Sequence, residues 1–325
     1  MSEKVLVGVD LGGTNLKAGT VTQEGNVVSR VKAPTHAEDG PEAGIDRIVC
    51  SIEQALDESG CSRNDVIAVG CGAPGPLNWT AGIVHTPPNL PGWKDVPLAR
   101  MLTDRLGITS FIENDANSAG YGENWAGAGR EVKDLVALTL GTGIGGAIIL
   151  DNRLWRGIDG TAGEIGHMII QVDGRPCNCG SRGCLEQYGS ATGIVATARE
   201  MVASGRETII TDMAAGNLDN LTSKDVYEAY VRGDRLAAEV FAETGRLLGI
   251  GLTTLANLLN PEMFVICGGV TAAGDVLFDP MRQTLRELAF REPGERAQVV
   301  PAQLGGDAGL IGAAGVALQR VRSGD

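Results

Sequence analysis

The stretch VLVGVDLGGTNLKAGTV, residues 5–21, decides the fold that we expect for this chain. An apolar run, Val5–Val9, leads into the residues Gly12-Gly13-Thr14, and a second strand-like run, Leu16–Thr22, follows them. Strand, glycine turn and strand predict a hairpin. A tight bend of this kind leaves backbone N–H groups unpaired and facing outward, which suits phosphate oxygens. The alternative interpretation is a plain glycine hairpin that binds nothing.

Asp10 lies at the mouth of this hairpin. Hard cations prefer carboxylate oxygen, so Asp10 is a candidate to hold a magnesium ion through water.

The same pattern occurs again in LVALTLGTGIGGAIIL, Leu135–Leu150. Its glycines match the spacing G-x-G-x-x-G, but that dinucleotide fingerprint must open a helix. Here Ala147–Leu150 is apolar and β-branched, so the segment predicts strand, Gly141-Thr142-Gly143 turn and strand. Two such hairpins indicate a duplicated architecture. A third glycine pair, Gly268-Gly269, follows the predicted strand Met263–Cys267.

A cluster of three cysteines and one histidine predicts a metal site. His167, Cys177, Cys179 and Cys184 are the ligand types of a closed tetrahedral zinc centre. Gly180 and Gly183 allow the backbone to wrap tightly enough to aim three thiolates inward. Four protein ligands leave no open position for a reacting water, so the predicted zinc is structural. Buried thiols beside an ordinary histidine are the alternative.

Two polar positions look suited to ligand contacts. Asn114 and Asp115 come where the predicted strand Ser110–Ile112 gives way to a helix, and ligands of α/β folds bind at such ends. Asp115 can equally be only a helix cap. Asn89 lies in the proline-rich loop HTPPNLPGW, residues 85–93, which is a rigid support for a polar contact.

The remaining apolar patterns predict further strands and helices. The strands are Val27–Ala33, Val66–Val69 and Gln298–Val300. The helices are Pro41–Ser59, Leu98–Leu106, Thr192–Ser204, Ser223–Arg232, Asp234–Leu259, Phe278–Phe290 and Leu304–Arg320.

Length and composition narrow the class of protein. A chain of 325 residues favours two domains, and 43% hydrophobic residues supply a full core. The net charge of −13 argues against nucleic acid and anionic membranes as partners. The odd number of cysteines indicates a reducing compartment, and neither a signal peptide nor a bilayer-spanning run is apparent. We therefore expect a cytoplasmic protein.

Together these segments resemble the ROK family of sugar kinases, within the actin, Hsp70 and hexokinase (ribonuclease H-like) fold superfamily. The resemblance extends over nearly the whole chain. It rests on DLGGTNLKAG, PPNLPGW, ENDANSAGYGE, LTLGTGIGGAI, the Glu164–His167 segment with CNCGSRGCLE, and ICGGV. Many family members carry lysine where Asn15 stands, whereas here the lysine is Lys17.

The resemblance implies a reaction and a role for each matching residue. The reaction is ATP-dependent phosphorylation of a hexose at its 6-hydroxyl, with Mg²⁺ accompanying ATP. Glucose is the expected hexose. Asp115 would be the general base. The sugar would be held by Asn89, Asn114, Asp115, Glu164, His167 and Glu186. ATP would be held by Asp10, Gly12, Gly13, Thr14, Asn15, Lys17, Thr142, Gly143, Gly268 and Gly269.

The resemblance also implies an architecture of two α/β domains, each with a five-stranded mixed sheet, and an active site in the interdomain cleft. The smaller domain would comprise residues 1–115 and about 305–325, and the larger domain residues 116–304. A homodimer or homotetramer is expected. Family members that phosphorylate fructose or N-acetylhexosamines remain alternatives, as do polyphosphate as the phosphoryl donor and a sugar-sensing transcriptional repressor.

Overall fold

The computed structural model describes residues 4–324. Its strands form where apolar and β-branched residues run between turns rich in glycine and asparagine. In chain order they are β1 (Val5–Leu11), β2 (Asn15–Val21), β3 (Val31–Pro34), β4 (Val66–Ala73), β5 (Leu77–Asn78), β6 (Ile83–Val84), β7 (Ser110–Asn114), β8 (Leu135–Leu140), β9 (Ile144–Leu150), β10 (Arg153–Leu154), β11 (Met263–Cys267) and β12 (Gln298–Pro301).

The longer helices follow the predicted segments, and most of their ends lie within one or two residues of the predicted ends. In chain order the helices are α1 (Gly40–Ser59), α2 (Leu98–Leu106), α3 (Asp115–Ala126), α4 (Glu186–Gly189), α5 (Ala191–Ala203), α6 (Ile210–Met213), α7 (Ser223–Val231), α8 (Arg235–Leu259), α9 (Asp275–Leu288), α10 (Arg291–Arg296) and α11 (Ala308–Ser323). The short helices α4, α6 and α10 were not predicted.

Two five-stranded mixed sheets share one topology. The first has the order β3-β2-β1-β4-β7 and the second the order β10-β9-β8-β11-β12. In the first sheet β1 pairs antiparallel with β2 and parallel with β4, and β4 pairs parallel with β7. In the second, β11 pairs parallel with both β8 and β12. The repeated order confirms the duplicated α/β architecture that the two glycine hairpins predict.

The first sheet is covered by helices on both faces. Successive side chains of β1 point to opposite sides of the sheet, so β1 contributes to the packing on each face. Val7 and Val9 pack with α1 and α2, through residues such as Ile48 and Leu102. Leu6 packs on the other side with α11, through residues such as Leu310.

Helix α11 also packs closely against α3. A side chain at Gly312 of α11 would overlap the backbone carbonyl of Ser118 in α3. This close approach ties the helix that begins at Asp115 to the covered sheet.

The described chain divides into two units. Unit 1 comprises the described residues of Met1–Asp134, Ala147–Gly163 and Ala302–Asp325, and unit 2 comprises Leu135–Gly146 and Glu164–Pro301. These units differ from the predicted domain boundaries. The segments 116–134 and 147–163, which the sequence analysis placed in the larger domain, cluster with the N-terminal residues.

Several element boundaries also differ from prediction, and two of them have a local cause. The strand expected at Val27–Ala33 begins only at Val31, because Val27 forms an isolated bridge to Val21 and the Ser29 hydroxyl turns inward to bond Ala55 O. The last helix begins at Ala308 instead of Leu304, since residues 305–307 form a 3-10 turn. Within the described residues, no helix is both long and apolar enough to cross a membrane.

Candidate active site

In unit 1 Asn89 lies against the first glycine turn, which connects β1 to β2. A side chain on Gly13 would lie 2.7 Å from the backbone oxygen of Asn89, so only glycine permits this approach. The turn is closed by Gly12 N–H donating to Asn15 O at 3.0 Å. Thr35 fixes it further by donating its hydroxyl to Gly12 O at 2.6 Å. The predicted phosphate turn and the predicted sugar contact are therefore neighbours within unit 1.

Asp10 and Lys17 face each other across the same hairpin, where they are register partners of β1 and β2. The Lys17 Nζ lies 3.8 Å from the Asp10 carboxylate and donates a hydrogen bond to Gly306 O. Burial raises the pKa of Asp10, and the charge of Lys17 partly offsets that increase. Lys17 therefore acts as the counter-charge of Asp10 in this structure.

Asn114, the last residue of β7, caps helix α3. Its Oδ1 accepts hydrogen bonds from the backbone N–H groups of Ala116 at 2.9 Å and Asn117 at 3.1 Å. Asp115 is the first residue of the helix, and its Oδ1 accepts from Ala116 N at 2.8 Å. The simple interpretation of Asp115 as the helix cap is wrong, because Asn114 fills that position.

The electrostatic environment of Asp115 keeps its proton bound to a higher pH than usual. Desolvation by burial raises the pKa of Asp115, and the negative charge of Asp10 raises it further, while the hydrogen bond from Ala116 N–H lowers it. A carboxylate with a raised pKa is a stronger base, which is what proton abstraction near neutral pH requires.

Glu113, which was not predicted as a site residue, precedes the Asn114-Asp115 pair and is almost completely buried. Its Oε2 accepts a hydrogen bond from Arg156 Nε at 2.6 Å. Its Oε1 accepts from Asn114 N and from Asn117 Nδ2, both at 2.9 Å. A charged residue closing a buried strand was the only sequence signal for Glu113, and Arg156 had none.

In unit 2 the predicted metal ligands converge. One ligand atom from each of His167, Cys177, Cys179 and Cys184 lies within 4.8 Å of the other three. Tetrahedral zinc with its usual bond lengths places sulfurs roughly 3.8 Å apart and nitrogen and sulfur roughly 3.6 Å apart. The sulfurs of Cys179 and Cys184 are 3.7 Å apart, and the His167 Nδ1 is 3.7 Å from the Cys177 sulfur. The donor set therefore fits a zinc ion.

The backbone of this segment wraps as its glycines predict. Gly180 and Gly183 have φ values of +91° and +74°, which L side chains rarely adopt. Gly183 also lies so close to the Gln171 carbonyl that any side chain there would overlap it. These two turns bring the three thiol side chains to one point.

Glu186 links the metal segment to the second glycine hairpin. Its Oε2 accepts a hydrogen bond from Ile144 N at 2.9 Å, and a side chain on Gly143 would overlap the same oxygen. Glu164, the other predicted sugar contact of this segment, is exposed at the start of the 3-10 turn that ends at His167.

The two glycine turns predicted to bind nucleotide in unit 2 follow adjacent parallel strands. Thr142-Gly143 connects β8 to β9, and Gly268-Gly269 follows β11. The strands are paired through Thr139 and Cys267 at their carboxyl ends. The carbonyl of Thr142 is held by the Thr192 hydroxyl at 2.9 Å. Unit 2 therefore places both turns at one edge of its sheet, as expected for ligand-binding loops of α/β proteins.

Comparisons with known proteins agree with this arrangement. The ROK family model matches residues 6–320. The chain is 38% identical over 324 residues to a glucokinase of Halalkalibacterium halodurans, covering 99% of this chain and 98% of the relative. It is 37% identical over 321 residues to a glucokinase of Thermotoga maritima, covering 99% of both.

Among solved structures, the chain is similar to a ROK family glucokinase from Streptomyces griseus in complex with glucose and AMPPNP. The TM-score is 0.80 at 39% identity, covering 97% of this chain and 99% of that one. The similarity confirms the two-domain, actin-like α/β fold that the sequence resemblance implies. The chain belongs to the ROK family.

Proposed function

We propose that this protein is a sugar kinase that transfers the γ-phosphoryl group of ATP to the 6-hydroxyl of glucose. The observation that carries the proposal is Asp115, a carboxylate with a raised pKa at a strand end, which a neighbouring cap leaves available for chemistry. The similarity to glucokinases along nearly the whole chain supports the same reaction.

In the proposed mechanism Asp115 accepts the proton of the 6-hydroxyl as that oxygen bonds to the γ-phosphorus. The bond from phosphorus to the bridging oxygen breaks, and ADP leaves. Phosphoryl transfer depends chiefly on positioning and on neutralising charge. Asn114 uses its Oδ1 as a helix cap, so we assign its Nδ2 to a sugar hydroxyl. Asn89 supplies a second amide.

Unit 1 also contributes groups that would bind the nucleotide. We assign Gly12, Gly13 and Thr14 to the ATP phosphates, together with Asn15 and Lys17. Gly13 and Thr14 would bind through their backbone N–H groups, whereas the N–H of Gly12 already donates to Asn15 O and closes the turn. Lys17 can serve as a point charge for phosphate only if it leaves Asp10. Asp10 would hold Mg²⁺ through water, and the bound ion would supply charge neutralisation for the phosphates.

Unit 2 contributes the remaining groups. We assign Glu164, His167 and Glu186 to sugar hydroxyls, and Thr142, Gly143, Gly268 and Gly269 to ATP. Glu186 already accepts a hydrogen bond from Ile144 N through one oxygen, which orients the carboxylate. A carboxylate accepts hydrogen bonds and an imidazole N–H donates them, so together they suit a sugar hydroxyl, which does both.

We further propose a structural Zn²⁺ bound by His167, Cys177, Cys179 and Cys184. The closeness of His167 Nδ1 to the Cys177 sulfur supports Nδ1 as the metal ligand, which would leave Nε2 for the sugar. The metal would then orient a sugar-binding imidazole and the segment that carries Glu164 and Glu186.

A panel of hexoses tests the reaction. Purified protein is assayed with ATP and Mg²⁺ by coupled detection of ADP, using glucose, fructose, mannose, N-acetylglucosamine and N-acetylmannosamine. We expect the highest kcat/KM with glucose. A higher value with fructose or an N-acetylhexosamine would assign the same chemistry to another sugar. If none of the sugars in the panel causes ADP to be released, the proposal is contradicted. Polyphosphate in place of ATP tests the donor, and sedimentation tests the predicted dimer or tetramer.

A further inference from the structure

Arg156 and Glu113 form a buried ion pair directly beneath the Asn114-Asp115 step. The Glu113 side chain is 3% exposed and that of Arg156 is 11% exposed. Burying two opposite charges seldom adds net stability, because the loss of hydration offsets their attraction. Such a pair is better explained by the geometry that it imposes on its surroundings.

The Glu113 carboxylate fixes both sides of the strand-to-helix junction. One oxygen accepts from the backbone N–H of Asn114 and from the Asn117 side chain, which lies in the first turn of α3. Asp115 stands between these two attachment points. The backbone that presents Asp115 is therefore held from before and from after by a single carboxylate.

The amide of Asn117 supports a functional interpretation. Its Nδ2 donates to Glu113, but its buried Oδ1 has no hydrogen-bond partner among the described residues. An unpaired buried acceptor is costly, so an apolar residue would serve stability better at this position. The bond to Glu113 is what an asparagine provides here.

Arg156 is itself held in place. Its guanidinium lies 4.4 Å from the centre of the Trp79 ring, a cation–π contact. Trp79 is in turn packed by Gly160, where an added side chain would lie 2.9 Å from the indole, and its carbonyl accepts from Arg320 Nη1 at 3.0 Å. Arg320 stacks on Phe111, two residues before Glu113 on β7.

From these contacts we propose that Arg156 is a positioning residue for the reaction: it fixes Glu113, which fixes the backbone on both sides of Asp115. The chain of contacts runs from the Trp79 ring through Arg156 and Glu113 to the Asn114 N–H. This proposal rests on the assignment of Asp115 as the general base. A small displacement of that base is expected to reduce turnover strongly and substrate binding weakly.

The test compares Arg156→Met with a matched control, Arg63→Met. Arg63 also pairs with a glutamate of unit 1, Glu53, at 2.7 Å, but that pair is largely exposed. We expect Arg156→Met to lower kcat at least about tenfold while the KM for glucose and ATP changes less than about threefold. The control should leave both unchanged.

A second comparison separates positioning from loss of folding. Arg156→Met leaves the Glu113 carboxylate buried without its cation, and the double variant Glu113→Gln/Arg156→Met removes that charge. We expect the double variant to recover thermal stability over Arg156→Met but to recover little kcat. Recovery of kcat in step with stability would overturn the proposal, as would wild-type kcat in folded Arg156→Met.

Milder variants cover the case in which Arg156→Met does not fold. Arg156→Lys keeps the charge without the planar fork, and Glu113→Gln keeps the shape without the charge. Each should lower kcat more than it raises KM, and unchanged kcat in both would overturn the proposal. Asp115→Asn is assayed in parallel. If Asp115→Asn keeps full activity, the assigned base is wrong. If Asp115→Asn is inactive while Arg156→Lys and Glu113→Gln are both fully active, only the role of Arg156 is rejected.

Discussion

Asn114 caps helix α3 through its Oδ1, so the helix does not depend on the carboxylate of the adjacent Asp115 for its cap. Capping side chains and catalytic carboxylates both occur where a strand leads into a helix, so the sequence alone does not separate them. The structure assigns the cap to one residue and a raised pKa to the other.

Asp115→Asn is expected to lower kcat by about 10² or more, because an amide cannot accept the hydroxyl proton. The fold and glucose binding should persist, since the cap belongs to Asn114. Steady-state kinetics with glucose titrations measures both quantities. The matched control is Asp275→Asn, the same change at the first residue of another helix, α9, which should leave kcat unaltered. Near-wild-type kcat in Asp115→Asn would contradict its role as the base.

The same substitution is expected to raise thermal stability at neutral pH. The pKa of Asp115 is higher in the folded than in the unfolded protein, so the unfolded chain releases this proton more readily. The carboxyl therefore costs stability above its unfolded pKa, about 1.4 kcal/mol for each unit of increase, and costs nothing below it. The Tm gain of Asp115→Asn should be present at pH 7 and shrink as the pH falls toward 4. A Tm gain that does not depend on pH would show that burial does not perturb this carboxyl.

Asp10→Asn is expected to move the acid limb of the kcat/KM profile for glucose to lower pH. The base must be deprotonated to act, and the negative charge of Asp10 contributes to the raised pKa of Asp115. Removing that charge lowers the pKa of Asp115. Profiles are measured with Mg²⁺ raised until the rate no longer increases, because the variant should also require more Mg²⁺. An unmoved acid limb would show that Asp10 and Asp115 do not interact electrostatically.

The residues predicted the hairpin in each sheet because a hairpin is a local pattern: a glycine turn between two apolar runs specifies its own pairing. Helix α2 and strand β11 were predicted to the residue for the same reason. The full five-stranded sheets were expected only from the family resemblance. The convergence of the four candidate metal ligands was also predictable, since three of them lie within one short segment and the chemistry of zinc selects cysteine and histidine.

The Glu113–Arg156 pair could not be predicted in this way. Its members are 43 positions apart, and no periodic pattern relates a buried strand end to an arginine after β10. Membership of residues 147–163 in unit 1 was missed for the same reason, because it follows from tertiary contacts of that segment and not from its own sequence. Such long-range polar pairs are visible only once the chain is folded.

The last prediction concerns the metal. Purified protein should contain about one Zn²⁺ per chain, as four protein ligands in tetrahedral geometry require, and elemental analysis measures it. Cys179→Ser should lose this zinc and weaken glucose binding, because His167, Glu164 and Glu186 all belong to the segment that the proposed metal would order. Nucleotide binding should decline less, since Thr142-Gly143 and Gly268-Gly269 are held at the ends of β8 and β11.

Cys50→Ser, a change of an exposed cysteine outside the cluster, is the matched control and should keep both zinc and affinity. Active enzyme without stoichiometric zinc would reject the metal site, and an equal loss of glucose and nucleotide binding in Cys179→Ser would show that the metal supports all of unit 2 and not only its sugar-binding segment.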